Sequence, residues 1–388
     1  MRTPKGEGTE VLRREDREFA DRLYRSRVPY SGSLELTHRC NLSCRHCYQL
    51  PPRHAELDTR AWDRLLEELS RLGCLHLSFT GGEPLLRPDL PELLERAVEL
   101  DFAVTVQTNA VLVDGKMVRI LRGLPNVRVD VSLYGARPGT HDFLTRVPGS
   151  FAATLRSLNL LREAGVPVIL KVTVGNFNLP EMNDLAALAE DLKAEVVFSP
   201  LIFPRNDGDP APTGLRLDDR GLEDFYRLEC GYWLTRWRAL TGGEQGDPSF
   251  LGPAMEGCLV GLPGGDASGR RHCGCGSTVF AVNPYGDVYP CVAFPLVVGN
   301  VAEEGFAAVW ENSSVLRMIR KSDEEIPSSC EDCPHLSICP LCRALSYLED
   351  GAPITRNHER CRQTHIMTGV LSEVLEHEKA GRKEERVP

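Results

Sequence analysis

The stretch Ser33-Leu-Glu-Leu-Thr37-His-Arg-Cys40-Asn-Leu-Ser-Cys44-Arg-His-Cys47-Tyr48 carries the reading of the whole chain. Its first five residues alternate polar and apolar, the period of a β-strand with one face on a core. Three cysteines follow, with three and then two residues between them, on what must be a loop. Thiolates this close can converge on one metal centre, and soft thiolate selects iron–sulfur clusters, zinc or Cu(I). Three ligands on a four-iron cube leave one iron open to a small molecule, whereas a cube closed by four mainly transfers electrons. A zinc knuckle completed by His46 is the competing use of the same residues.

Outward from this stretch, strands and helices alternate. Strand patterns recur over residues 75–79, 102–106, 127–131, 166–174 and 195–199, with helical spacing over 59–72, 88–100, 150–164 and 179–192. Repeated βα units predict an α/β fold in which helices cover a parallel sheet, and six units suggest a partial or complete barrel. Barrel chemistry gathers at the C-terminal ends of the strands. The unusual residues fall there: Cys40 to Cys47, Gly81-Gly82-Glu83, Gln107-Thr108-Asn109 and Ser132.

Composition narrows the function classes. The 388 residues carry a net charge of −10, with 42% hydrophobic and 26% charged residues, as in a soluble globular protein. The acidic balance argues against broad binding to nucleic acid or anionic membrane. No apolar run approaches the roughly 18 residues of a membrane span. The first 30 residues hold no apolar segment of a secretory signal, so a cytoplasmic location is expected. There are 14 cysteines. In a reducing compartment they point to metal or redox chemistry rather than disulfides.

The remaining segments are less informative. Residues 1–30 read as a charged lead-in, helical over 13–24. A Pro/Gly-rich break over 203–214 precedes a helix over 218–240 that holds Phe225, Tyr226, Tyr232, Trp233 and Trp237, read as packing. Cys230 on that helix is read the same way, with a thiol facing an active site as the alternative. Asp207 and Asp209, just beyond the sixth strand, are candidate proton acceptors against the plainer reading of an exposed acidic loop. Residues 278–282 and 288–290, around Asn283-Pro-Tyr-Gly286, read as a hairpin. A charged amphipathic helix is expected over 365–383.

Cys40-x3-Cys44-x2-Cys47 with Tyr48 following resembles the signature of the radical S-adenosylmethionine (SAM) superfamily. Thr80-Gly-Gly-Glu-Pro84 is similar to that family's SAM-contacting turn, and Asn109 and Ser132 stand at similar strand ends. The resemblance implies a partial (β/α)6 TIM-like barrel over 31–200. It implies one [4Fe-4S] cluster on Cys40, Cys44 and Cys47, and SAM contacts from Tyr48, Gly81, Gly82, Glu83, Pro84, Asn109 and Ser132. Glu83 suits the methionyl ammonium, and Lys171 on the fifth strand could pair with the carboxylate.

Downstream, Cys273-Gly-Cys275, Asn283-Pro-Tyr-Gly-Asp-Val-Tyr-Pro-Cys291, Cys330-x2-Cys333-x5-Cys339-x2-Cys342 and Cys361 resemble the SPASM extension, a small cysteine-rich α+β domain over 258–365. It follows a linker and helix over 201–257 and precedes the tail, 366–388. The resemblance implies one or two auxiliary four-iron clusters. Cys330, Cys333, Cys339 and Cys361 would hold the outer one; Cys273, Cys291 and Cys342, with Cys258 or Cys275, the inner one. The family usually places three residues between the cysteines equivalent to Cys339 and Cys342, where this chain has two.

The implied chemistry is reductive cleavage of SAM to a 5′-deoxyadenosyl radical that abstracts a substrate hydrogen. The leading substrate is a ribosomally made peptide, crosslinked or oxidised. About 30 residues before the first strand are too few for the winged leader-binding domain of some maturases, so a separate leader-binding protein is an expected partner. An electron donor such as flavodoxin or ferredoxin is another. The competing readings are a sulfatase-type Cys or Ser oxidising maturase, a tetrapyrrole or other small-molecule enzyme, and a non-enzymatic iron–sulfur or zinc scaffold.

Overall fold

The computed structural model describes residues 18–241, 264–265, 271–322, 325–336, 338–339 and 341–384. Helix α1 (18–26) leads into β1 (Ser31–Thr37), and α2 (Thr59–Arg71) connects β1 to β2 (His76–Gly81). The alternation continues through α3 (Leu90–Glu99), β3 (Ala103–Thr108), α4 (Gly115–Gly123) and β4 (Val127–Ser132). Helices α5 (Pro138–Thr145) and α6 (Ser150–Ala164) precede β5 (Val168–Thr173), and α7 (Met182–Asp191) precedes β6 (Glu195–Ser199). The long aromatic helix α8 is Asp219–Thr241. A ribbon pairs β7 (Gly264–Gly265) with β8 (Arg271–His272). The strands β9 (Val279–Val282), β10 (Asp287–Tyr289) and β11 (Gly299–Asn300) follow.

Six parallel strands, β1 to β6, run in sequence order, as the alternation predicts. The sheet does not end at β1. Strand β9 pairs with it in parallel, Ser31 opposite Val279, and the predicted β9–β10 hairpin carries the sheet outward. With β2 on one side and β9 on the other, β1 has no free edge for β6, so the barrel is partial.

The strand pattern sets both faces. Leu34, Leu36, Leu77, Phe79, Val104, Val106, Val129, Val131, Leu170 and Val172 are buried under the helices. Their alternates Glu35, Thr80, Gln107, Asp130, Ser132 and Lys171 form the other, polar face, which lines the barrel interior. Helix starts follow local chemistry: Asp58 caps α2 by accepting from Ala61 N, and Asp114 caps α4 by accepting from Met117 N. Helices α4 and α5, and those at Phe306–Asn312, Ser314–Ser322 and Arg343–Asp350, have no counterpart in the sequence reading. They are short, and α5 and Arg343–Asp350 mix polar residues through the turn that sets their face. The final helix begins at His358, ahead of the expected 365, so Cys361 stands on its first turn. The predicted residues 13–17 of the lead-in helix lie outside the described residues.

Where β9 meets β1, Phe280 lies against Gly32, a position with no room for a Cβ. Phe280 also packs on Phe306 at 4.6 Å and Trp310 at 5.9 Å. Truncating a fully buried phenylalanine costs about 3–5 kcal/mol. Phe280→Ala is therefore expected to lower the unfolding free energy measured in urea by that amount. A barrel that unfolds independently of β9 would show no such loss.

Candidate radical and auxiliary-cluster site

The cysteine loop is fixed from two sides. Ser43 N donates to Thr145 O at 3.1 Å and Arg45 N to Leu144 O at 2.9 Å, seating the loop on the C-terminal end of α5. On the other side, Gly82 N donates to Thr37 O at 2.7 Å and Glu83 N to Arg39 O at 2.8 Å. A Cβ on Gly81, at φ +125°, would run into the Thr37 carbonyl, and one on Gly82 into that of Arg39. The glycine pair thus lets two backbones meet.

Glu83 is fully buried. Its Oε1 accepts from Thr108 Oγ1 at 2.7 Å and Leu85 N at 3.0 Å, and its Oε2 from Asn109 N at 2.9 Å. Asn109 Nδ2 donates to Asn41 Oδ1 at 2.8 Å and lies 4.0 Å from Cys40 Sγ. The ends of β2 and β3 are thereby tied to the cysteine loop through one carboxylate. Pro84 opens the 3₁₀ turn that follows.

The three thiols act on one another. Burial, then the charges of Cys47 and Cys40, pushes the Cys44 thiol up. Burial also raises Cys40 and Cys47, the latter partly offset by Arg205. Thiols that resist ionising alone fit a cationic cluster, which deprotonates its ligands outright. Among the described residues no three His, Cys, Asp or Glu side chains are arranged to hold a single ion.

Among the buried polar atoms without a hydrogen-bond partner are His38 Nδ1, His46 Nδ1 and Gln49 Oε1, on and beside the cysteine loop, and Asp130 Oδ1 on the polar face of β4. Buried polar atoms are nearly always satisfied, so these four are open to a polar ligand such as SAM. Ser132 ends β4 and bonds the Tyr134 hydroxyl. Lys171 Nζ lies 4.0 Å from Asp130 Oδ2, and Arg128 Nε 3.4 Å from Asp130 Oδ1. Tyr48 is half-buried, and its hydroxyl is raised by burial, then by Glu35, Cys47 and, further down, Cys291. It therefore lies between the two cysteine regions. Glu35, His38, Gln49 and Asp130 escaped the sequence reading, and His46 entered it only as a competing zinc ligand. The inward register of β1 and β4 marks Glu35 and Asp130, but nothing local marks the others.

The downstream cysteines form two sets. The Cys275 thiol lies beside those of Cys273 and Cys291, which raise it. Cys275 in turn brings Cys273 down to about 6, and Cys342 is raised by burial and then by Cys273 and Cys291. Cys258 lies outside the described residues. Cys330, Cys333, Cys339 and Cys361 line one cavity with His335, and Arg356 Nε donates to Cys361 Sγ at 3.3 Å. The other candidates stand apart. Cys230 is fully buried, its thiol pushed up to about 12 by burial and then by Glu229, a poor state for a nucleophile. Asp207 accepts from Asp209 N, and Asp209 from Ala211 N, so both organise an exposed loop.

Residues 34–192 match the radical SAM superfamily, and residues 273–334 match SPASM, an iron–sulfur cluster-binding domain. The chain belongs to the radical SAM superfamily and is an enzyme of its SPASM-bearing branch, dependent on SAM and [4Fe-4S] clusters. It is 30% identical over 344 residues to the AdoMet-dependent heme synthase of Methanosarcina barkeri, covering 84% of this chain and 94% of that one. It is 31% identical over 346 residues to the mycofactocin maturase MftC of Mycobacterium ulcerans, covering 87% and 88%. The fold matches anSMEcpe with bound AdoMet and a peptide at a TM-score of 0.67 and 18% identity, covering 90% of this chain and 99% of that one. It matches SuiB of Streptococcus suis bound to S-adenosylmethionine at 0.65 and 20% identity, covering 93% and 84%. Among the described residues no helix is long and apolar enough to cross a membrane.

Burial pushes the Glu83 carboxyl up to about 7, its three hydrogen bonds opposing this. A folded-state value above the ordinary 4.5 means that its contribution to stability is full below 4.5 and is lost as pH rises through about 7. In cluster-free protein, Glu83→Gln is expected to flatten the melting profile across that window. Parallel profiles for the variant and the parent would count against this.

Proposed function

We propose that this chain is a maturase that modifies a ribosomally made peptide by SAM-derived radical chemistry. What carries the reading is that β9 joins the inner thiol set to the same sheet as the SAM-type cysteine loop, with Tyr48 between them. A radical made at the loop then leaves its substrate electron close to an acceptor. The relatives point the same way: besides MftC, the PqqA peptide cyclase of Gluconobacter oxydans is 30% identical over 324 residues. The bound clusters and SAM supply a carbon-centred radical that abstracts hydrogen from an inert C–H. The chain's own residues do the rest. Cys40, Cys44 and Cys47 would hold the first cluster. Gly81, Gly82 and Pro84 shape the turn, Asn109, Ser132 and Lys171 offer polar groups to SAM, and the half-closed mouth excludes water.

Cys273, Cys275, Cys291 and Cys342 would hold the inner auxiliary cluster, and Cys330, Cys333, Cys339 and Cys361 the outer. The place of Cys275 beside Cys273 and Cys291 favours it over Cys258. A cytoplasmic location, an external electron donor and a separate leader-binding protein belong to the same reading. A second reading, oxidation of a tetrapyrrole side chain, is favoured by the identity to the heme synthase.

Iron, sulfide and zinc in protein prepared without oxygen come first, with about 12 iron per chain expected for three clusters. Cys275→Ser is expected to lower this by about four, and Cys258→Ser to leave it unchanged. The reverse pattern would move the inner ligand to Cys258, and zinc without iron would overturn the assignment altogether. Cys44→Ala is expected to abolish SAM cleavage while the chain stays folded. SAM cleavage assayed against candidate precursor peptides and against tetrapyrroles separates the two readings. Product from the tetrapyrrole alone would replace the first with the second.

A further inference from the structure

On the outer side of the cysteine loop, Arg45 and Phe143 form one unit. The Arg45 guanidinium lies 4.3 Å above the Phe143 ring, and its Nε donates to Phe143 O at 3.0 Å. Phe143 is 46% exposed, the more open of the two exposed phenylalanines among the described residues. Arg146, in a left-handed conformation at φ 60°, closes the same end of α5 and is also exposed. Among the described residues neither arginine has a carboxylate within ion-pair reach, unlike the neighbouring Arg137, which pairs with Asp184 at 2.9 Å. The nearby Asp142 points inward, accepting from Gly149 N, Ser150 Oγ and Phe151 N. Exposed Cys40 and Cys47 share this loop, with Arg45 next to Cys44.

An exposed aromatic ring framed by unpaired arginines has the composition of a binding hot spot. The rest of the chain is acidic, at −10 overall, and would repel an acidic protein. We propose that Arg45, Phe143 and Arg146 form the docking patch for an acidic one-electron carrier protein, placing its redox group over the cysteine loop. This rests on the radical SAM reading, which requires an outside electron. In the step, the carrier is oxidised by one electron and the enzyme reduced by one. That electron is consumed when the sulfonium C–S bond breaks, giving methionine and the 5′-deoxyadenosyl radical.

The test compares two reductants on the fully reconstituted enzyme, dithionite and flavodoxin hydroquinone, with Phe143→Ser, Arg146→Glu and the double variant. Dithionite-driven SAM cleavage is expected to stay within about twofold of the parent, and flavodoxin-driven cleavage to fall by about tenfold or more. Added salt is expected to slow the parent's flavodoxin-driven rate and to leave the double variant's almost unchanged. Equal flavodoxin-driven rates in parent and variants would overturn the patch and move electron entry elsewhere. A parent inert even with dithionite would defeat the enzymatic reading beneath it, a separate failure.

Discussion

Two backbones in contact without side chains between them govern this molecule. Gly81 and Gly82 lie directly on Thr37 to Arg39, and the hydrogen bonds across that contact fix where the cysteine loop begins. Any larger residue would separate β2 from the loop by the width of a methyl group. The thiols, the Asn109 amide and the Glu83 carboxylate all take their positions from that contact. Glu83 then spends its charge on the protein's own groups, bracing Thr108 and Asn109 from a fully buried position. A carboxylate so placed is costly to bury, and the cost is met by three donors and by a shift toward the neutral form.

Much of this was legible in the chain itself. The βα alternation is a matter of period, and period survives folding, so the six strands and their parallel order follow from it. The three cysteines are legible because metal ligands cluster on short loops. The inner auxiliary set is less so. Cys275 and Cys258 look alike as sequence, and only the folded chain shows Cys275 beside Cys273 and Cys291. His38 and Gln49 gave no signal, because their place comes from loop geometry, not from pattern. Short helices such as α4 escaped for a related reason: its buried face rests on only two residues, Val118 and Leu121, too few to establish a period.

The two ends of the site differ in character. Of the inner thiols Cys275 is buried and Cys273, Cys291 and Cys342 are part-buried, whereas Cys40 and Cys47 are exposed on the loop that carries Arg45. A site that must take electrons from outside and keep a radical away from water benefits from this split. The open side accepts charge and the closed side holds chemistry. Lys171 and Arg128 flank Asp130 in the barrel interior. Burial raises Asp130, and the two cations oppose this, which keeps a polar surface beneath the mouth.

The pairing of β1 with β9 also constrains how the chain is made. Ser31 faces Val279, so the first strand to leave the ribosome is also among the last to find its full set of neighbours. Loop closure over such a span is slow, and until it occurs the outer edge of β1 is an unpaired strand able to join another chain. The nascent barrel is therefore at its most aggregation-prone while the C-terminal cysteines are still being synthesised. A truncated barrel carrying only the first cysteine cluster would inherit that open edge permanently. The C-terminal segment thus covers the open edge of the strand that introduces the cysteine loop.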